Sequence, residues 1–161
     1  MSTPSIEDRL AELGIVLPSA SEPAARYANV VQVRELLFVS GKGPRGDQGV
    51  SPSGKLGKEY TTEQGYQFAR QAGLEVLAVL KAELGSLDRI RRFVKVQGFV
   101  NAEPHFDQHH KVLNGCSDLF IEVFGDRGRH ARSVLGANSL RDNLPIIIDT
   151  IVEVVDDEAR R

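Results

Sequence analysis

The sequence predicts an α+β domain in which two helices pack on one face of a mixed sheet. Three observations carry that expectation. Residues 145–155 are a β-branched run that puts Ile146, Ile148, Thr150, Val152 and Val154 on one strand face and Ile147, Asp149, Ile151 and Glu153 on the other. Two stretches, 61–85 and about 104–124, carry apolar residues at helical spacing. The extended runs and helices together follow the order strand, strand, helix, strand, helix, strand, strand.

Taken in order, the chain opens with Ser5 ahead of IEDRLAEL and a stop at Gly14, a cap residue and first-turn acids that read as a short surface helix. Pro18, Ser19, Ser21 and Pro23 make 15–25 an irregular approach to the sheet. Extended pieces at 27–33 and 37–40, joined at Arg34 and Glu35, form the expected hairpin. Gly41, Gly43, Gly46 and Gly49 then read as a flexible loop. No Lys-Ser or Lys-Thr pair leads from it into a helix, so Lys42 reads as a loop lysine, not a phosphate ligand.

The first long helix starts at Thr61 and Thr62 and ends at Gly85. Its stripe of Gly65, Ala69, Ala72, Gly73, Val76, Leu80 and Leu84 begins with small residues that allow close approach to a sheet. Residues 90–100 form a long strand, broken over Asn101 to Pro104. The second helix buries Phe106, Leu113, Phe120 and Phe124 and stops at Gly125 and Gly128. A short strand around Arg132 should lie beside or near the final strand.

A chain of 161 residues suffices for one domain with a sizeable core. A net charge of -2 argues against general polyanion binding. With Cys116 as the single cysteine, neither an internal disulfide nor a cysteine-based zinc site is available. The N-terminus lacks the basic and apolar regions of a signal peptide, and no apolar run approaches the ~18 residues of a membrane span. A cytoplasmic domain is expected. One face of the sheet would be bare, and its candidate residues, Val94, Val96, Ile147 and Ile151, are too apolar for water; an oligomer would cover them and form sites between subunits.

Few residues single themselves out chemically. His105, His109 and His110 suggest a metal, with 105 and 109 on one helix face, but no third ligand stands at a clear spacing, and surface or structural histidines are the plainer reading. Cys116 reads as a buried small residue. Arg89, Arg91, Arg92 and Lys95 read as a protected strand edge or subunit contact. Asp149 and Glu153 are about 14 Å apart along their strand, too far to act as one acid–base pair. There is no GxSxG, and spacing alone picks out no Ser/His/Asp arrangement. Arg132, set between Ala131 and Ser133, offers a planar fork suited to a carboxylate, or alternatively a structural ion pair.

Several stretches together resemble the RidA (YjgF) family of trimeric chorismate-mutase-like proteins: ARYANVV, LFVSGKGP, LGSLDRIRRFVKVQGFVN, NGCSDLFIEVFG, GRHARSVLG and LPIIIDTIVEV, in the family's order and spacing over about 27–155. The resemblance implies a homotrimer with an inner sheet barrel and three intersubunit clefts. It also implies that Arg132 holds a substrate carboxylate, with Tyr27, Ser40 and Asn114 as the cleft tyrosine, serine and helix asparagine. In deaminase members a glutamate fifteen residues after the arginine manages the water that attacks an imine; here that position is Ile147, and the family's small polar position two after the arginine is Val134. Asp149 matches a second family acid, about 7 Å further along the strand.

The expectation is therefore a RidA-like domain at 26–156, preceded by a helix and lead-in at 1–25 and followed by a tail at 157–161. It would bind small 2-imino or 2-oxo acids and hydrolyse reactive enamines or imines to 2-oxo acids and ammonia. The alternative is a non-catalytic carboxylate sensor or binding module, motivated by Ile147. No cofactor, metal, membrane or nucleic acid is expected to take part.

Overall fold

Strand β5 (Ile146–Val154) lies at the centre of the sheet in the computed structural model, which describes residues 2–156. The expected tail at 157–161 lies outside the described residues. The other elements are α1 (Ile6–Glu12), β1 (Val30–Val33), β2 (Leu36–Lys42), α2 (Thr62–Leu84), β3 (Ile90–Asn101), α3 (His109–Phe124) and β4 (Ala131–Ala137). The sheet runs β1-β2-β5-β3-β4, antiparallel throughout except for the parallel pair β3 and β4. This is the α+β layering expected, with α2 and α3 on one face.

Burial along β5 alternates residue by residue, so Ile146, Ile148, Thr150, Val152 and Val154 face the helices. Helix α2 is bounded by a capping box in which Thr61 and Gln64 exchange side-chain and backbone bonds, and by Gly85 at φ +78°. Its small-residue stripe is buried, but Gly65 and Gly73 face Val112, Cys116 and Leu119 of α3 rather than the sheet, and the two helices come closest at Gly115 of α3. A Cβ there would lie 1.9 Å from the Tyr66 carbonyl oxygen of α2. Phe93 of β3 stacks on Phe120 at 4.1 Å between ring centroids and meets Phe124 edge-on at 5.0 Å, pinning α3 to the sheet. Helix α1 adds a third piece to the helix layer: Ile6 and Leu10 are buried in the core, and the Ile6 N–H donates to Asp88.

Three further expectations need correction. The second helix begins at His109, not near Pro104, because strand-like bonding persists through Glu103: Leu56 N–H donates to Asn101 O and Glu103 N–H to Leu56 O. A turn closed by Phe106 N–H on Glu103 O then occupies the backbone that a helix would need, and His105 and His109 share no helix face. Val96 faces the helix core rather than the bare side, since irregular register between Phe93 and Lys95 reverses the alternation of β3; Lys95, Gln97 and Phe99 face outward instead. Lys42 is no loop lysine: it is the last residue of β2 and is buried. Arg132 lies near β5 as expected, one strand removed, on β4 beside β3.

The face away from the helices is apolar in cross-strand rows. Val31, Phe38 and Ile151 stand side by side on β1, β2 and β5, while Ile147, Phe99 and Leu135 do so on β5, β3 and β4. Val31, Val33, Phe38 and Leu135 are all more than 40% exposed, an unusual array of large apolar side chains for a surface. Among the described residues no helix is long and apolar enough to cross a membrane.

Candidate functional site

Arg132 sits on edge strand β4 with its parity toward the helix side, opposite Val96. Its Nη1 donates to Ser117 Oγ at 3.1 Å and its Nη2 to the His110 carbonyl at 3.2 Å, both on α3. These acceptors are neutral, and among the described residues no carboxylate lies within ion-pair distance of the guanidinium. An arginine has five N–H donors, so most of the fork remains available. Asn114 is one helical turn from His110 and lies between it and Ser117 on α3, which puts it on the same part of the helix as Arg132's two acceptors.

Ser117 and His130 complete this corner. Ser117 Oγ is 2.9 Å from His130 Nε2, and His130 Nδ1 is 2.7 Å from the Gly128 carbonyl. A carbonyl can only accept, so Nδ1 carries the proton, and Nε2 of the neutral ring accepts from the serine hydroxyl. The hydroxyl oxygen in turn accepts from Arg132. Burial, reinforced by the Arg132 charge, holds His130 below its usual pKa of 6.5, against the opposing effect of its bond to Gly128. The arrangement is a neutral base hydrogen-bonded to a hydroxyl beside a cation.

Sequence reading missed Ser117 and His130 because they are thirteen residues apart on different elements. The one available signal was parity: His130 precedes Arg132 by two, which places both on one side of an extended chain. Cys116, adjacent to Ser117, is fully buried, and desolvation pushes its thiol well above the ordinary range, as suits an inert core residue. Among the described residues no three His, Cys, Asp or Glu side chains converge as a metal would require. His109 packs edge-on against Phe106.

The other candidates gather elsewhere. Ser40 donates to the Ala28 carbonyl at 2.7 Å, tying the lead-in to β2. Tyr27 lies in that lead-in, 46% exposed. Ile147 packs close to Gly41, where a Cβ would meet it at 2.8 Å. Strands β5 and β3 separate β2 from β4, a span of about 14 Å at ordinary strand spacing. One chain therefore brings Arg132 and Asn114 to one edge and Tyr27 and Ser40 to the opposite half of the sheet, with Ile147 on the central strand β5 between them. Asp149 is outward on β5 opposite Gln97; burial raises its pKa, partly offset by Lys95.

His130 sets a pH dependence. Its folded pKa lies below 6.5, so the unfolded chain binds the extra proton first; the stability linked to its neutral form is complete above that value and is lost as pH falls through the folded one. Denaturant midpoints should fall between pH 7.5 and 5.5, more steeply for the wild type than for His130→Gln. His109, lowered in the same direction by burial, leaves some slope in the variant. Equal slopes would show that His130 is not held neutral.

A mixed five-stranded sheet closed by a parallel edge strand, with helices on one face and an arginine-bearing edge, defines the chorismate-mutase-like α+β class. The chain belongs to the YjgF family: the family profile described as "YjgF/chorismate mutase-like, putative endoribonuclease" matches residues 7–153. Protein TCP17 of Trypanosoma cruzi is 41% identical over 146 residues, spanning 90% of this chain and 91% of that protein. The solved structure of Atu1372 from Agrobacterium tumefaciens is 39% identical with a TM-score of 0.86, covering 93% of this chain and 92% of that one. A Shewanella oneidensis MR-1 protein described as a "putative endoribonuclease" is 32% identical with a TM-score of 0.90, covering 94% and 100%.

Proposed function

We propose that the protein is a homotrimer that binds small 2-imino or 2-oxo acids through Arg132 in clefts between subunits and hydrolyses reactive enamines or imines there. The observation that carries this is the guanidinium itself, held by two neutral oxygens and matched to no carboxylate among the described residues. A carboxylate on the remaining fork would be fixed in orientation, with the imine carbon one bond beyond it. The assembly supplies what one chain separates: packing the bare face of one copy against another covers Val31, Phe38 and Leu135 and lets Tyr27, Ser40 and Ile147 of a neighbour approach Arg132.

Ile147 cannot act as a base, and the His130–Ser117 pair takes that role in this reading. Water adds to the imine carbon, its proton passing to Ser117 Oγ while the serine proton passes to His130 Nε2. The imine nitrogen, protonated at the outset, becomes the carbinolamine's amine and takes the proton back from His130. The C–N bond breaks as the hydroxyl oxygen forms the carbonyl, the hydroxyl proton passes through Ser117 to His130, and a 2-oxo acid and ammonia leave.

Freshly generated 2-aminoacrylate should be consumed faster with wild-type protein than in buffer, and at the buffer rate with Arg132→Ala. His130→Gln should lower turnover while leaving carboxylate affinity within about threefold. Wild-type rates equal to buffer across a panel of imino acids would remove the catalytic step and leave the binding module that Ile147 favours. A trimer mass by light scattering, reduced to a monomer by Phe38→Glu, tests the assembly. Cleavage of RNA by wild type but not His130→Gln would favour the activity in the family's name instead.

A further inference from the structure

Lys42 is the charged group that the proposed chemistry leaves unused. It ends β2 with 6% of its surface exposed and lines a cavity of about 120 Å³ with Tyr27, Ser51, Arg45, Glu75 and Arg141. A buried lysine of structural purpose ordinarily meets a carboxylate. Glu75 is close at hand, but Arg45 already holds both of its oxygens, Nε to Oε1 at 2.9 Å and Nη2 to Oε2 at 3.0 Å. Lys42 Nζ instead donates to the neutral Asn29 Oδ1, and Asn29 is anchored to the Ser21 carbonyl at 2.6 Å. The amine is thus held in place without direct neutralisation, at the wall of a polar space.

We infer that Lys42 is a carbonyl-reactive amine that forms an imine with a small 2-oxo acid entering this cavity. At roughly 10–15 Å³ of such space per water the cavity has room for several waters, enough for a three- or four-carbon acid. Arg141, at the rim and paired with exposed Asp142, has further N–H groups for the acid end. Desolvation, with Arg141 adding to it, lowers the Lys42 pKa against the opposing pull of Glu75, which raises the share of neutral amine. The step balances simply: the Nζ lone pair attacks the carbonyl carbon, the carbinolamine forms, its hydroxyl leaves with the remaining amine proton as water, and a C=N bond is left. The cavity shares Tyr27 with the proposed cleft, but the imine step itself uses neither Arg132 nor a residue of a second copy.

The test is reductive trapping. Full-length protein is incubated with pyruvate, and separately with glyoxylate, in the presence of cyanoborohydride, then digested and mapped by mass spectrometry. The expected result is a reduced adduct on Lys42 at least tenfold above the exposed Lys58, Lys81 and Lys111, and its loss from the corresponding peptide in Lys42→Arg. Mapping on the wild type decides the matter even where that variant folds poorly. Adducts spread evenly over the exposed lysines, or none on Lys42, would overturn the inference.

Discussion

Arg132→Ala should weaken binding of pyruvate or a similar small carboxylate by roughly 30-fold to several thousandfold, the ~2–5 kcal/mol that accompanies truncation of one partner of a hydrogen-bonded charge pair. The partners it would leave behind in the free protein, Ser117 Oγ and the His110 carbonyl, are neutral and close to the edge of the sheet, so melting should change far less than affinity. Arg132→Lys should recover only part of the loss. An ammonium restores the charge but lacks the planar fork. Calorimetric titration of the three proteins measures this directly, and indistinguishable affinities would remove Arg132 from the binding account.

Phe93→Ala carries the largest expected cost to stability, about 3–5 kcal/mol. The ring is fully buried in β3 and contacts both Phe120 and Phe124 of α3, so its removal opens a cavity in the layer that holds α3 against the sheet. For a domain of this size the loss corresponds to a fall of roughly 6–20 °C in melting temperature. Because α3 also carries Ser117 and the His110 carbonyl, carboxylate affinity should weaken as well, at temperatures where the variant is still folded. A melting change under about 2 °C would show that the layer closes around the gap.

Residues with strict periodicity were legible in advance, and those displaced by local irregularity were not. Strand β5 alternates without interruption, and α2 keeps its stripe from Gly65 to Leu84, so both elements match their patterns closely. In β3 the pairing irregularities near Arg92 and Phe93 reverse the alternation, and no residue type announces them, which is why strict alternation puts Val96 on the wrong face. The start of α3 was obscured because Leu56, distant in sequence, extends the β pairing through Glu103. Lys42 sits in a glycine-rich stretch that reads as loop, yet Gly41 and Lys42 continue β2 opposite Ile148. The corner around Arg132 was half visible. The arginine stands out by its own chemistry and Asn114 through the resemblance, whereas Ser117 and His130 need the strand and the helix to meet.

The measurement that bears most directly on the functional account is a crystal structure of the protein with pyruvate or benzoate bound. The carboxylate should lie on the Arg132 fork, at a boundary between two copies, with the neighbour's Ile147 facing it and Ser117 within reach of the adjoining carbon. A carboxylate bound elsewhere, or an Arg132 that faces open solvent in the assembled protein, would contradict it.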